Sequence, residues 1–206
     1  MKVRKNNILL LFFILIAAFT ASACGSNTDD KTKESENNNI AVNTITTEDL
    51  KNHLNDDDWV IVDTRLNDAF IGWKLDGVAR GGHIEGAVDL SANWLKVDVE
   101  DKEALLDEAL ETKGITPEKN IVLYDANGAD ASEVANYLSE KGYENLYTYD
   151  VKQWAEDESL PMVRYKNYHL IVPAAVVKDV LDGKTPETFE EGKKVKIVEA
   201  SWGEEK

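Results

Sequence analysis

Between Thr46 and Trp154 the apolar residues recur with two spacings, and each switch between them marks an element. Thr46 and Asp49 bracket a helix start, with Leu50 and Leu54 on one face behind it. The unbroken apolar run Trp59 to Val62 then reads as a buried strand ending at Asp63-Thr64-Arg65. A short helix around Asn67 to Trp73 follows. After it come a stretch punctuated by Gly77, Gly81 and Gly82 and a short strand near Ala87 to Leu90. From Lys102 to Thr112 the residues Leu105, Leu106, Ala109 and Leu110 return to helical spacing, and Gly114 stops them. A strand from Ile121 to Tyr124, a loop from Asp125 to Asp130 and a helix with Val134, Tyr137 and Leu138 on one face come next. Last are a strand from Leu146 to Tyr149 and a short helix carrying Trp154. Strands alternating with helices predict an α/β fold, a central parallel sheet covered on both faces. Such sheets bind ligands beyond the carboxyl ends of their strands, where Asp63 and Asp125 both fall.

Beyond Pro161 the pattern starts again. Val172 to Asp182 echoes the helix of Ile45 to Asn55, and Lys196 to Ser201 echoes the strand of Val60 to Arg65, at offsets of 127 (Leu50 to Val177) and 136 (Val62 to Val198). The polar insert Gly183 to Lys194 accounts for the difference. Residues 44–160 are therefore expected to form one domain, and 161–206 an incomplete second repeat. So short a piece cannot bury a core of its own, so it either packs on the first domain or stays poorly ordered.

The opening of the chain has a different character. Lys2, Arg4 and Lys5 precede the apolar run Ile8 to Phe19, which leads to Ala21-Ser22-Ala23-Cys24. Charge, grease and small residues in that order describe an export signal over residues 1–23. The run is short for a spanning helix, which needs about 20 apolar residues. Cys24, the single cysteine of the protein, stands directly after the small residues, as in a bacterial lipoprotein signal, where it becomes the lipidated first residue. Residues 24–43 are polar and expected to form a flexible tether, which places the protein on the extracytoplasmic face of the cell membrane, held through lipid on Cys24. Removing the signal leaves 20 basic against 39 acidic side chains, a charge near −19, which makes nucleic acid a poor partner. With one cysteine there is no intramolecular disulfide, and lipidation of Cys24 would remove thiol catalysis as well.

The loop from Asp125 to Asp130 poses the chemical question. A loop entering a helix N-terminus aims backbone N–H groups outward and favours anions, yet this one carries two acids of its own. Asp125, Asn127 and Asp130 do not have the glycine placement or distal glutamate of a calcium loop, so no metal is expected. Asp130 with Glu133 is more economically a helix N-cap with its partner. The scattered Trp59, Trp73 and Trp154 read as core anchors rather than a ligand cage.

Three stretches in order, Val60-Ile61-Val62-Asp63-Thr64-Arg65, Gly82-His83-Ile84-Glu85-Gly86-Ala87 and Ile121 to Asp130, resemble the rhodanese family of thiosulfate and mercaptopyruvate sulfurtransferases. The likeness covers about residues 44 to 157 and continues through Gly142 to Tyr147 and Trp154. It implies a D-x-R strand end at Asp63 and Arg65 and a turn in which His83 hydrogen-bonds backbone, with Gly86 and Ala87 closing it. Glu85 stands where the family has proline. The resemblance also implies an active loop of Asp125, Ala126, Asn127, Gly128, Ala129 and Asp130, with no cofactor. The family's reaction needs a cysteine thiolate at the first loop position, and here that position is Asp125. Ala126 and Asp130 occupy places where active relatives often carry arginine. A carboxylate cannot accept sulfane sulfur; it would place its oxygens on the loop N–H groups instead. The expectation is a catalytically inactive binding or scaffold protein, with a small anion or a sulfur-carrying protein as possible partners. The alternative is a fragment of a tandem thiosulfate sulfurtransferase, since noncatalytic first domains of tandem enzymes often carry an acid here.

Overall fold

The computed structural model describes residues 42–186 and 188–198. The expected signal, Cys24 and most of the tether lie outside these residues, as does the end of the echoed strand, 199–201.

Five parallel strands form the central sheet in the order β1, β6, β5, β2, β4. They are β1 (Asn43–Thr44), β2 (Trp59–Asp63), β4 (Val88–Asp89), β5 (Asn120–Asp125) and β6 (Leu146–Asp150), with β3 (His83–Ile84) set apart from them. The α/β reading of the sequence is correct: helices cover both faces, as unbroken apolar strands require. Alternation along β2 and β5 divides the core. Val60, Val62, Ile121 and Leu123 face Leu110 of α3 (Lys102–Thr112) and Val134 and Leu138 of α4 (Ala129–Glu140). Ile61, Val122 and Tyr124 face Leu50 of α1 (Thr47–Asn52) and Trp154 of α5 (Val151–Glu156).

The segment after Pro161 packs on this domain. Strand β7 (Met162–Val163) pairs antiparallel with β3, Tyr165 N donates to Ile71 O at the end of α2 (Asn67–Ile71), and Trp73 Nε1 donates to Ile171 O. Gly82, at φ +95°, lets the two short strands approach: a Cβ there would fall on the carbonyl of Val163. Of the echoed repeat, the helix is present as α6 (Ala174–Leu181), with Val176 buried. Residues 193–198 form no strand and stay exposed.

Arg80 ties the same region together, and nothing in the sequence pattern announces it. Its guanidinium donates to the carbonyls of Trp154, Ala155, Asp157 and Leu160, at 2.7 to 2.9 Å. These are the unpaired acceptors that the end of a short helix leaves behind, so one cation closes α5 and the turn after it.

Candidate functional site

Strand β5 ends at Asp125, where the chain must turn into α4. Gly128 makes the turn in the left-handed conformation, φ +82°, two residues earlier than an N-cap at Asp130 would place the helix start. The N-cap expectation for Asp130 and Glu133 is therefore incorrect. Glu133 instead pairs with Lys96 at 2.7 Å. The capping acceptor comes from the strand: Asp125 is 1% exposed and its carboxylate faces the loop. Oδ1 accepts from the backbone N of Asn127 at 3.2 Å and Gly128 at 2.6 Å. Oδ2 accepts from Asp130 at 2.8 Å and Ala131 at 3.1 Å. One buried side chain thus meets four N–H groups that the loop and helix terminus would otherwise leave open. Asn127 Oδ1 is likewise turned inward, accepting from Ala129 N at 3.0 Å.

Ala126 is buried beside Asp125, while Asn127, Gly128 and Ala129 are exposed on the rim. Asp130 lies partly buried there, and burial first, then the charge of Asp125, raises its carboxyl above the ordinary aspartate range against the pull of Lys96. A carboxyl raised on folding binds its proton more tightly in the native state, so its cost to stability is absent below the unfolded pKa and complete above the folded one. Asp130→Asn is therefore expected to melt higher than the wild type at neutral pH and equal to it near pH 3. A variant that melts lower at pH 7 would show that the helix N-terminus outweighs the repulsion.

On the other face of the sheet sits a second buried charge group. Asp63 and Arg65 are 0% and 2% exposed, and they form a two-pronged pair, Nε to Oδ1 at 2.9 Å and Nη2 to Oδ2 at 2.6 Å. Tyr124 Oη donates to Asp63 Oδ2 at 2.9 Å and accepts from Ile84 N, while Arg65 Nη2 also donates to Gly82 O. Burial pushes the Tyr124 phenol well above its usual range, and the Asp63 charge adds to that. Burial alone would lower Arg65, but the bonds and charge of Asp63 outweigh it and hold the guanidinium more firmly protonated. This group locks strand ends β2 and β5 to the turn at β3. The bonds of Asp63 and Arg65 go to each other, to Tyr124 and to Gly82 O, and the buried Arg65 Nη1 has no hydrogen-bond partner among the described residues.

His83 does what the sequence suggests: its Nδ1–H donates to Phe70 O at 2.8 Å while its ring stacks on Phe70 at 3.9 Å. Gly86 takes φ +83° and Ala87 N closes the turn on Ile84 O; Glu85, in the proline position, is exposed. Beside the loop, at the carboxyl ends of β1, β6 and β5, a cleft of about 330 Å³ is lined by Thr44, Asp125, Gly128, Thr148, Tyr149 and Asp150 among others.

A family model described as "Rhodanese-like domain" matches residues 46–157. No curated protein matches the chain. Among solved structures, wild-type EanB is similar at 33% identity with a TM-score of 0.64. Two EanB variants, one complexed with hercynine and one with ergothioneine covalently linked to a cysteine persulfide, are similar at 33% identity and a TM-score of 0.65. Each match covers 73% of this chain and 34% of the EanB chain, so the chain spans about a third of the length of these neighbours.

Proposed function

The chain belongs to the rhodanese-like domain family, and on that premise we propose that it is an inactive member, a binding or scaffold protein held by lipid on Cys24 at the extracytoplasmic face of the membrane. The observation that carries the inactivity is the position of Asp125. Sulfur transfer requires a nucleophilic sulfur that can form and release a persulfide, and carboxylate oxygen does neither. Here the carboxylate also occupies the four N–H groups that would steady such an anion. The chain's one cysteine, Cys24, belongs to the sequence that reads as the lipidation signal.

One observation favours a second reading, in which this domain is the noncatalytic part of a larger sulfurtransferase: the EanB chains it resembles are about three times as long as the matched span. In that case the cysteine would come from another domain. An assay of the purified chain with thiosulfate and cyanide separates the activity of this domain from that of any partner. We expect thiocyanate formation no faster than in buffer, and turnover by the chain alone would contradict the proposal.

A further inference from the structure

Asn127-Gly128 is the single Asn-Gly pair of the sequence, and it stands at the turn into α4. Each half of the pair has a structural reason. Gly128 takes φ +82°, where a side chain would be strained although nothing crowds the space. Asn127 supplies the side-chain oxygen that meets Ala129 N at 3.0 Å. The same pairing carries a reaction of its own. With no side chain on Gly128 to hinder it, the Gly128 nitrogen can attack Cγ of Asn127: an N–C bond forms, the Cγ–Nδ2 bond breaks, and the Gly128 amide proton leaves with Nδ2 as ammonia. Water then opens the cyclic imide at either carbonyl, giving aspartate or isoaspartate at that position. Water is the only co-reactant, and both residues are exposed to it.

The loop opposes this chemistry at the attacking atom. Gly128 N donates to Asp125 Oδ1 at 2.6 Å, and that bond to a charged acceptor must break before the nitrogen can turn to Cγ. Oδ1 also accepts from Asn127 N at 3.2 Å, which pins the backbone on both sides of the reacting side chain. The carboxylate charge further disfavours the anion that the nitrogen becomes as it loses its proton.

We propose that Asn127 is a latent site of spontaneous deamidation, held unreactive by the Asp125 cradle and released when the cradle opens. The inference rests on Asp125 filling the loop and not on the absence of sulfur transfer. Conversion reinforces itself. Isoaspartate carries the main chain through its own Cβ, so the two N–H groups lose the spacing that lets both reach Oδ1. Aspartate instead adds a third carboxylate beside Asp125 and Asp130, the latter already raised by burial and by the Asp125 charge. A loop that has reacted once is therefore harder to close.

The test is mass-spectrometric peptide mapping of the full chain aged at neutral pH, reading the fraction of Asn127 converted with time. The folded wild type is expected to convert about tenfold more slowly than the same chain unfolded in urea, the factor expected from one charge-assisted hydrogen bond. Folded Asp125→Ala is expected to recover most of that factor. Because this variant is also less stable, the wild type is measured in parallel at a urea concentration that lowers its stability to the variant's, and it is expected to stay slow. Wild type converting as fast folded as unfolded, Asp125→Ala as slow as the wild type, or the urea-matched wild type as fast as the variant would each overturn the gated site. None of these outcomes bears on thiocyanate formation, so the two proposals fail separately.

Discussion

Asp125→Ala is expected to destabilise the protein by about 3 kcal/mol, because four N–H donors around a buried carboxylate lose their acceptor together and only part of that loss is recovered by water entering the space. In a domain of this size that is a fall in Tm of roughly 10 °C. The number of donors sets the magnitude: an ordinary surface cap meets one or two N–H groups and costs about 1 kcal/mol, whereas Asp125 meets four from a position 1% exposed. Asp125→Asn is a sharper control. It keeps the volume and one oxygen that still accepts from two of the N–H groups, but turns an NH2 toward the other two, so it should recover about half of the loss. A thermal melt of the two variants against the wild type reads both, and a loss below about 0.5 kcal/mol, the ordinary range of surface substitutions, would mean the cradle does not depend on this side chain.

Arg65→Leu should be the costlier change, about 3 to 5 kcal/mol, the usual penalty for breaking a buried ion pair and leaving one charge behind. Asp63, fully buried, would keep only Tyr124 Oη and the backbone N of residue 65. The carbonyl of Gly82 would lose its donor as well. Against a typical total stability of about 5 to 15 kcal/mol, that leaves a protein close to unfolding. Replacing both partners, Asp63→Leu with Arg65→Leu, removes the stranded charge and should cost less than Arg65→Leu alone. Chemical denaturation of the single and double variants gives the comparison. A double variant less stable than the single would contradict the view that the stranded carboxylate is the main cost.

Much of this was legible in the sequence because it depends on local pattern. The runs Trp59 to Val62 and Ile121 to Tyr124 are strands because they are buried on both faces, and the helix from Lys102 to Thr112 is found within its expected limits. The orientation of Asp125 was also legible, since an acid at a strand end before a helix N-terminus has N–H groups waiting for it. The helix cap was misplaced for a related reason. Asp130 and Glu133 have the spacing of a capping pair, but the pattern cannot show that Gly128 starts the helix earlier or that the acceptor arrives from the preceding strand. Arg80 and the β3–β7 ladder were invisible in principle. A guanidinium bonded to carbonyls 74 to 80 residues away and strands of two residues each leave no periodic signal. Lys196 to Val198, the described part of the echoed strand, shows the reverse case: likeness to the sequence of Val60 to Arg65 supplies no neighbouring strand to pair with, and these residues are exposed without strand pairing.

Whether the loop holds its own anion is tested most directly by measuring Tm for the wild type and Asp125→Ala with and without sulfate. If the carboxylate fills the site, sulfate should raise the Tm of the variant by entering the vacated N–H groups and leave the wild type unchanged. A wild type stabilised as much as the variant would mean that the site was open to outside anions from the start.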